Sequence, residues 1–231
     1  MNHLAIIETI LRNRYRFFAD IREGIDIPRK IRALLLSALL FFALYGAVIG
    51  SSHSLWQALS SAAKLPAVFL ITLVVSLPTL YFFNVLFGAN LSLSQNFALI
   101  LTAITVTAVL LLSFAPVTLF FLITTSNYQF FKLLNVGIFA ITGGVGVSFL
   151  AQGMDMIGGR EVETEGAQAR RRLMRFWILL YAFVGTQLAW TLRPFFGAPG
   201  LPFELFRNLG GTFYADIFAA LGEILGFFTV R

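Results

Sequence analysis

The sequence predicts an all-α fold: a polytopic membrane helix bundle of about five transmembrane helices, with an amphipathic interfacial helix near each end of the chain. Three observations carry this. Hydrophobic residues make up 58% and charged residues 12% of the 231 positions, whereas a soluble domain carries roughly 25% charged residues. Uncharged runs of bilayer length recur, and between Ala33 and Phe131 the sole Lys, Arg, Asp or Glu is Lys64. The remaining basic residues gather beside those runs rather than inside them. Hydrocarbon accepts such apolar faces, provided that each backbone polar group is paired within its own helix.

Residues 1–31 form the first segment, amphipathic and assigned to the cytoplasm. Leu4, Ile7, Leu11, Tyr15 and Phe18 recur at steps of three and four, with Arg12, Arg14 and Arg16 mostly opposite. That period predicts a surface helix over residues 2–20. Its arginines either meet anionic phospholipid headgroups or face a cytoplasmic partner.

A transmembrane domain follows over residues 32–193, with spans at about 33–50, 65–87, 97–125, 130–152 and 172–192. About 20 apolar residues cross the ~30 Å hydrocarbon layer. Pro66 falls in the expected first turn of span two, where its missing N–H is harmless, and Pro78 in the middle, where a kink is expected. Span three is long for an untilted crossing, so Pro116 is expected to kink it or to end it. Between spans four and five runs MDMIGGREVETEGAQARRRLMR, with its acids first and Arg170, Arg171, Arg172 and Arg175 last. These four arginines are expected at the headgroup level, on anionic phospholipid.

Residues 194–231 complete the chain as an extracytoplasmic segment. Pro194, Pro199 and Pro202 forbid a continuous helix and restrict the backbone before any docking. Phe195, Phe196, Phe203 and Phe206 then offer aromatic anchors for a partner, or a belt in the headgroup layer. From Thr212 to Val230 the chain is apolar again, with Asp216 and Glu223 seven apart on one helical face. Two acids in one crossing are costly, so an interfacial helix is expected, with a sixth span as the rival.

Lys and Arg near the span ends number twelve on one side and five on the other. The positive-inside rule therefore puts the N-terminus and the arginine-rich loop in the cytoplasm.

Composition also excludes chemistry. The absence of cysteine removes disulfides, thiolate catalysis and iron–sulfur clusters. His3 and His53 are the two histidines, one terminal and one just past span one, so no pair of axial haem ligands projects from within the spans. Gly143, Gly144 and Gly146 are followed by no Lys-Ser/Thr pair, which argues against a phosphate loop. The uncharged spans argue against coupled transport. No acid pair, metal-ligand cluster or nucleophile with its base is visible, so neither an enzyme nor a cofactor is expected. The net charge of +6 points to anionic lipid rather than nucleic acid, since the basic residues flank apolar spans.

Two rows of small residues stand out: Ala43, Gly46, Ala47 and Gly50 in span one, and Ala140, Gly144 and Ser148 in span four. Residues of this size at spacing four let helix backbones approach closely in lipid, either within the bundle or against a second copy or partner. Asn84, Thr102, Thr105, Thr107 and Gln187 supply hydroxyls and amides that bond neighbouring helices, or line a pore for a neutral solute.

Five spans, a cytoplasmic N-terminus and a short extracytoplasmic tail resemble the layout of the Yip family of membrane proteins. That resemblance implies a protein that shapes or sorts membranes. The chain has no Asp-Leu-Tyr-Gly-Pro-type motif of that family, and a GTPase partner is not carried over. The stretch from Leu192 to Phe206 is similar to a segment of bacterial multispan proteins, which implies a bacterial inner membrane. The resulting expectation is a non-catalytic scaffold or accessory subunit, whose partners are the bilayer, anionic phospholipids and other membrane subunits or itself. A channel or facilitator for a neutral or lipid-like substrate is the alternative.

Overall fold

A computed structural model describes residues 3–86, 91–157, 165–197, 200–208 and 210–227, except for the side chains of residues 3–5, 83, 84, 86, 157, 165–171 and 174. The described residues form helices and no strand: α1 His3–Arg12, α2 Arg14–Arg22, α3 Ile27–Gly50, α4 Leu55–Leu86, α5 Leu93–Thr124, α6 Tyr128–Ile157, α7 Glu165–Thr191 and α8 Phe213–Ile224. Four of them, α3, α4 over Leu55–Phe82, α5, and α6 over Tyr128–Met156, are long and apolar enough to cross a membrane. The chain is therefore a helical bundle suited to multi-pass insertion.

The N-terminal segment holds two helices instead of the one expected. Asn13 leaves the helical conformation, and its side chain accepts from the Arg16 N–H at 3.4 Å, so it ends α1 and caps α2. The break rotates the apolar face. Ile6, Ile10, Phe17, Phe18 and Ile21 are buried, whereas Leu11 and Tyr15 are exposed.

Each long helix exceeds its predicted span, because caps rather than hydropathy decide where a helix starts. Pro28 stands in the first turn of α3, where proline is preformed for the helix. A four-residue turn at 51–54 leads into α4 ten residues before the expected start, so Pro66 lies well inside the helix instead of in its first turn. A capping box of Ser92 and Gln95 opens α5, which continues past Pro116 to Thr124. α8 has 12 residues, too few for the roughly 20 that a crossing requires, which favours the interfacial expectation over a sixth span.

α3 packs on both α4 and α5, α5 on α6, and α7 on α4, giving the lateral order α7, α4, α3, α5, α6. Leu34, Phe42, Tyr45 and Ile49 of α3 and a continuous run of α5 from Ala98 to Ala108 form the buried centre. α1 and α2 close one end of this bundle, the basal end. There Gln95 Nε2 donates to the carbonyls of Ile21 and Arg22 at 2.8 and 2.9 Å, and Phe18 lies against Gly153. Residues 193–197, 200–208 and 210–212, with α8, close the other, the strap end.

Candidate functional site

The strap end is built on the first turns of α4. Ser54 Oγ accepts from the Gln57 N–H at 3.2 Å and starts the helix. Gln57, Ser61 and Lys64, at steps of four and three, then share one face. A proline-bearing, non-helical segment such as residues 193–197 and 200–206 cannot satisfy its carbonyls within a helix, and a buried carbonyl without a donor is costly. α4 provides those donors. Gln57 Nε2 donates to Pro194 O at 2.8 Å, Ser61 Oγ to Phe195 O at 2.7 Å, and Lys64 Nζ to Pro194 O at 3.2 Å and to Leu205 O. The Lys64 ammonium also stands 4.9 Å from the centre of the Phe206 ring. His53 Nε2 is 2.9 Å from Leu201 O, and bonding a carbonyl requires that this nitrogen carry the proton.

Arg193 bonds three carbonyls, those of Trp190, Asn208 and Gly210, and lies 3.5 Å above the Trp190 ring. Burial pulls its pKa below the ordinary value, with Asp216 opposing and Arg207 adding to the effect. A guanidinium starts so high that it remains charged at neutral pH.

α8 is fastened by the acids that share its face. Lys132 Nζ meets Asp216 Oδ2 at 2.9 Å, and Gln129 Nε2 donates to Glu223 Oε2 at 2.8 Å. Tyr214 bonds Thr186 at 3.0 Å and stacks on Phe183, so α8 ties α6 to α7. A cleft of about 160 Å³ opens between the turns at 51–54 and 125–127, lined by Ser52, His53, Thr125, Asn127, Tyr128 and Gly197. Among the described residues no three His, Asp or Glu side chains converge as metal ligands would.

The four aromatic anchors divide. Phe195 and Phe196 pack inward on the core, Phe196 edge-to-face on Phe131 with ring centres 5.8 Å apart. The α4 donors hold the strap carbonyls, which sets these two partly buried side chains against the bundle. Phe203 and Phe206 remain exposed, at 39% and 57%.

The small-residue rows divide as well. A Cβ on Gly50 would stand 2.5 Å from Gln57 O, and one on Gly46 would collide with the Ser61 carbonyl, so the α3 row meets the α4 backbone. On α6, Ala140, Gly144 and Ser148 are exposed, and nothing lies within 4 Å of a Cβ on Gly144. Gly146, two residues on, makes the close approach to α5, at Ala103 and Thr107.

Polar groups at membrane depth are internally bonded. Thr102 donates to Ala98 O at 2.7 Å, Thr105 to Leu101 O at 2.7 Å and Thr107 to Ala103 O at 3.0 Å, and all three threonines are buried. Tyr45 OH joins Thr118 Oγ1 at 3.1 Å and Asn135 Oδ1 at 2.9 Å, knitting α3, α5 and α6. Sequence reasoning missed this triad, and also Gln57, Ser61 and Lys64. A polar residue recurring at helical steps was the available signal for the latter. Gln187 is half-buried on α7, and the Asn84 side chain lies outside the described residues.

At the basal end Arg12 pairs with Glu8 at 3.3 Å, and the Arg14 guanidinium sits 5.3 Å from the Tyr15 ring. Arg16, Arg172 and Arg175 are exposed, with no acidic partner among the described residues. The Arg170 and Arg171 side chains lie outside that description. Comparison of the chain with protein-family models, with curated proteins and with solved structures finds no match.

Proposed function

We propose that the protein is a non-catalytic scaffold or accessory subunit that crosses a bacterial inner membrane five times, with its basal end in the cytoplasm. The supporting observation is the bonding of the α5 threonines: each hydroxyl of Thr102, Thr105 and Thr107 is committed to a helix carbonyl inside a packed interior. Hydroxyls held this way do not line a path for a solute, which favours the scaffold over the facilitator. α7 supplies the fifth crossing in this reading. Its 27 residues extend about 40 Å, and it is uncharged from Phe176 to Thr191. It runs along α4, with Trp177 donating to Ser76 O at 3.3 Å and Gly185 facing Thr72. The outward face of α6 is where a partner helix approaches, because Gly144 leaves room for a backbone.

Purification from the native membrane in mild detergent tests the reading. A partner in fixed stoichiometry is expected. Gly144→Leu should release that partner while the melting temperature of the chain stays unchanged, since its side chain meets no neighbour in the bundle. A lone oligomer enclosing a solvated cavity would favour the facilitator instead.

A further inference from the structure

The basic side chains at the two ends are used differently. At the strap end Lys64, Lys132, Arg193 and Arg207 are each engaged by a carbonyl or a carboxylate of the chain. At the basal end Arg12 is paired with Glu8 and Lys30 with Asp20 at 3.2 Å. That leaves Arg14, Arg16, Arg22, Arg29, Arg32, Arg172 and Arg175 without an acidic partner among the described residues. The acids left unpaired there are Glu23, Asp26 and Asp155, so the described side chains of this surface carry an excess of four positive charges. The apolar sides of α1 and α2 are already covered by the bundle, with Ile6, Ile10, Phe17, Phe18 and Ile21 at most 1% exposed. What these helices show outward is therefore Arg12, Arg16 and Arg22, with Glu8 and Ala19, together with Leu11 at 55% and Tyr15 at 64% exposure.

We infer that the outer face of α1 and α2, with the first turns of α3, is a binding surface for anionic phospholipid headgroups. The inference rests on the proposed membrane insertion, which puts this end at the level of a headgroup layer. Guanidinium groups hold phosphate oxygens by paired N–H donors. Leu11 and Tyr15, set between those arginines, suit the glycerol and upper acyl region that lies beneath a headgroup. A nucleic acid would use the charge but has no counterpart for an exposed leucine. Asn13 places the two elements together, because its cap turns the chain between Leu11 and Tyr15 and brings Arg12, Arg14 and Arg16 around the elbow.

Native mass spectrometry of the full-length protein tests this, in neutral detergent with equal amounts of phosphatidylglycerol and phosphatidylcholine. Retention of phosphatidylglycerol is expected to exceed that of phosphatidylcholine by roughly tenfold at low salt, and the preference should shrink as added salt screens the charges. Each Arg→Gln change among Arg14, Arg16, Arg22, Arg29 and Arg32 is expected to weaken retention by up to about fivefold. The variant with all five changes should lose the preference while its helical signal and melting temperature persist. The same five positions changed to lysine should keep most of it, which separates charge from a general loss of fold. Equal retention of both lipids by the unaltered protein would overturn the inference, as would full preference in the five-glutamine variant. So would a short single-stranded RNA that binds the same arginines while phosphatidylglycerol shows no advantage. The assay uses the chain without partners, so absence of a co-purifying subunit together with a strong phosphatidylglycerol preference would defeat the scaffold reading and leave this one standing.

Discussion

The two ends of the bundle are closed by segments of opposite kinds. At the basal end α1 and α2 satisfy most of their backbones within the helices, Gln95 bonding only the Ile21 and Arg22 carbonyls at the end of α2, so they need chiefly an apolar face, and Phe17, Phe18 and Ile21 provide it. At the strap end the proline-bearing segment cannot bond itself, so Gln57, Ser61 and Lys64 of α4 must furnish donors for its carbonyls. The difference shows how backbone conformation dictates side-chain use. A helical lid leaves most of its arginines free for the surroundings, whereas an irregular lid draws several polar residues of the bundle inward.

The glycines offer the sharpest way to break that comparison. At the strap end a Cβ on Gly50 meets α4 backbone, at Gln57 O and at Ala58 Cα 2.7 Å away, and backbone cannot step aside. Gly50→Leu is expected to cost about 3 kcal/mol or more, seen as a large fall in the melting temperature of the detergent-purified chain. At the basal end a Cβ on Gly153 meets the Phe18 ring, a side chain able to shift, so Gly153→Ala should cost about 1 kcal/mol. Equal losses at both positions would remove the distinction between a backbone and a side-chain contact.

Removing a strap donor ranks next. Lys64→Met keeps the stem but takes the donor from Leu205 O and one of two from Pro194 O. A buried carbonyl without its donor costs about 1–3 kcal/mol. Chymotrypsin should then cut after Phe203 or Phe206 well before it cuts the intact protein, and unchanged cleavage would show that Lys64 does not hold the strap. Asp216→Asn should have a smaller effect, about 0.5–1 kcal/mol, because the Asp216 side chain is 37% exposed and solvent screens its pair with Lys132. Faster hydrogen exchange in α8, with α6 unaffected, is the expected readout. Least of all, Arg16→Gln should leave the melting temperature unchanged, since its side chain holds no partner in the bundle; a clear fall would mean that the basal arginines hold the fold.

The four helices long and apolar enough to cross a membrane were legible because their hydropathy is a property of each segment alone. Their starts were not. Residues 55–64 look like a loop because Gln57, Ser60, Ser61 and Lys64 are polar, and their use as helix donors appears once the strap lies against them. Asn13 was similarly hidden within a continuous amphipathic period, although an asparagine three residues ahead of Arg16 is a cap signal. The rows around Gly46 and Gly144 share one local pattern, and neighbours distant in sequence decide that one packs inside and the other faces out. The same holds for the strap. Its prolines announced an ordered, non-helical segment, but the inward turn of Phe195 and Phe196 depends on α4.

The proposed insertion puts the two ends on opposite sides of a membrane, and a chain without cysteine allows a clean measurement. Single variants Arg175→Cys, in the basal half of α7, and Gly210→Cys, beyond its strap end, are to be treated in intact cells with a membrane-impermeant maleimide. Labelling of Gly210→Cys before permeabilisation, and of Arg175→Cys only after it, is the predicted result. Labelling of both positions from the same side would contradict the fifth crossing and, with it, the assignment of the two ends to different compartments.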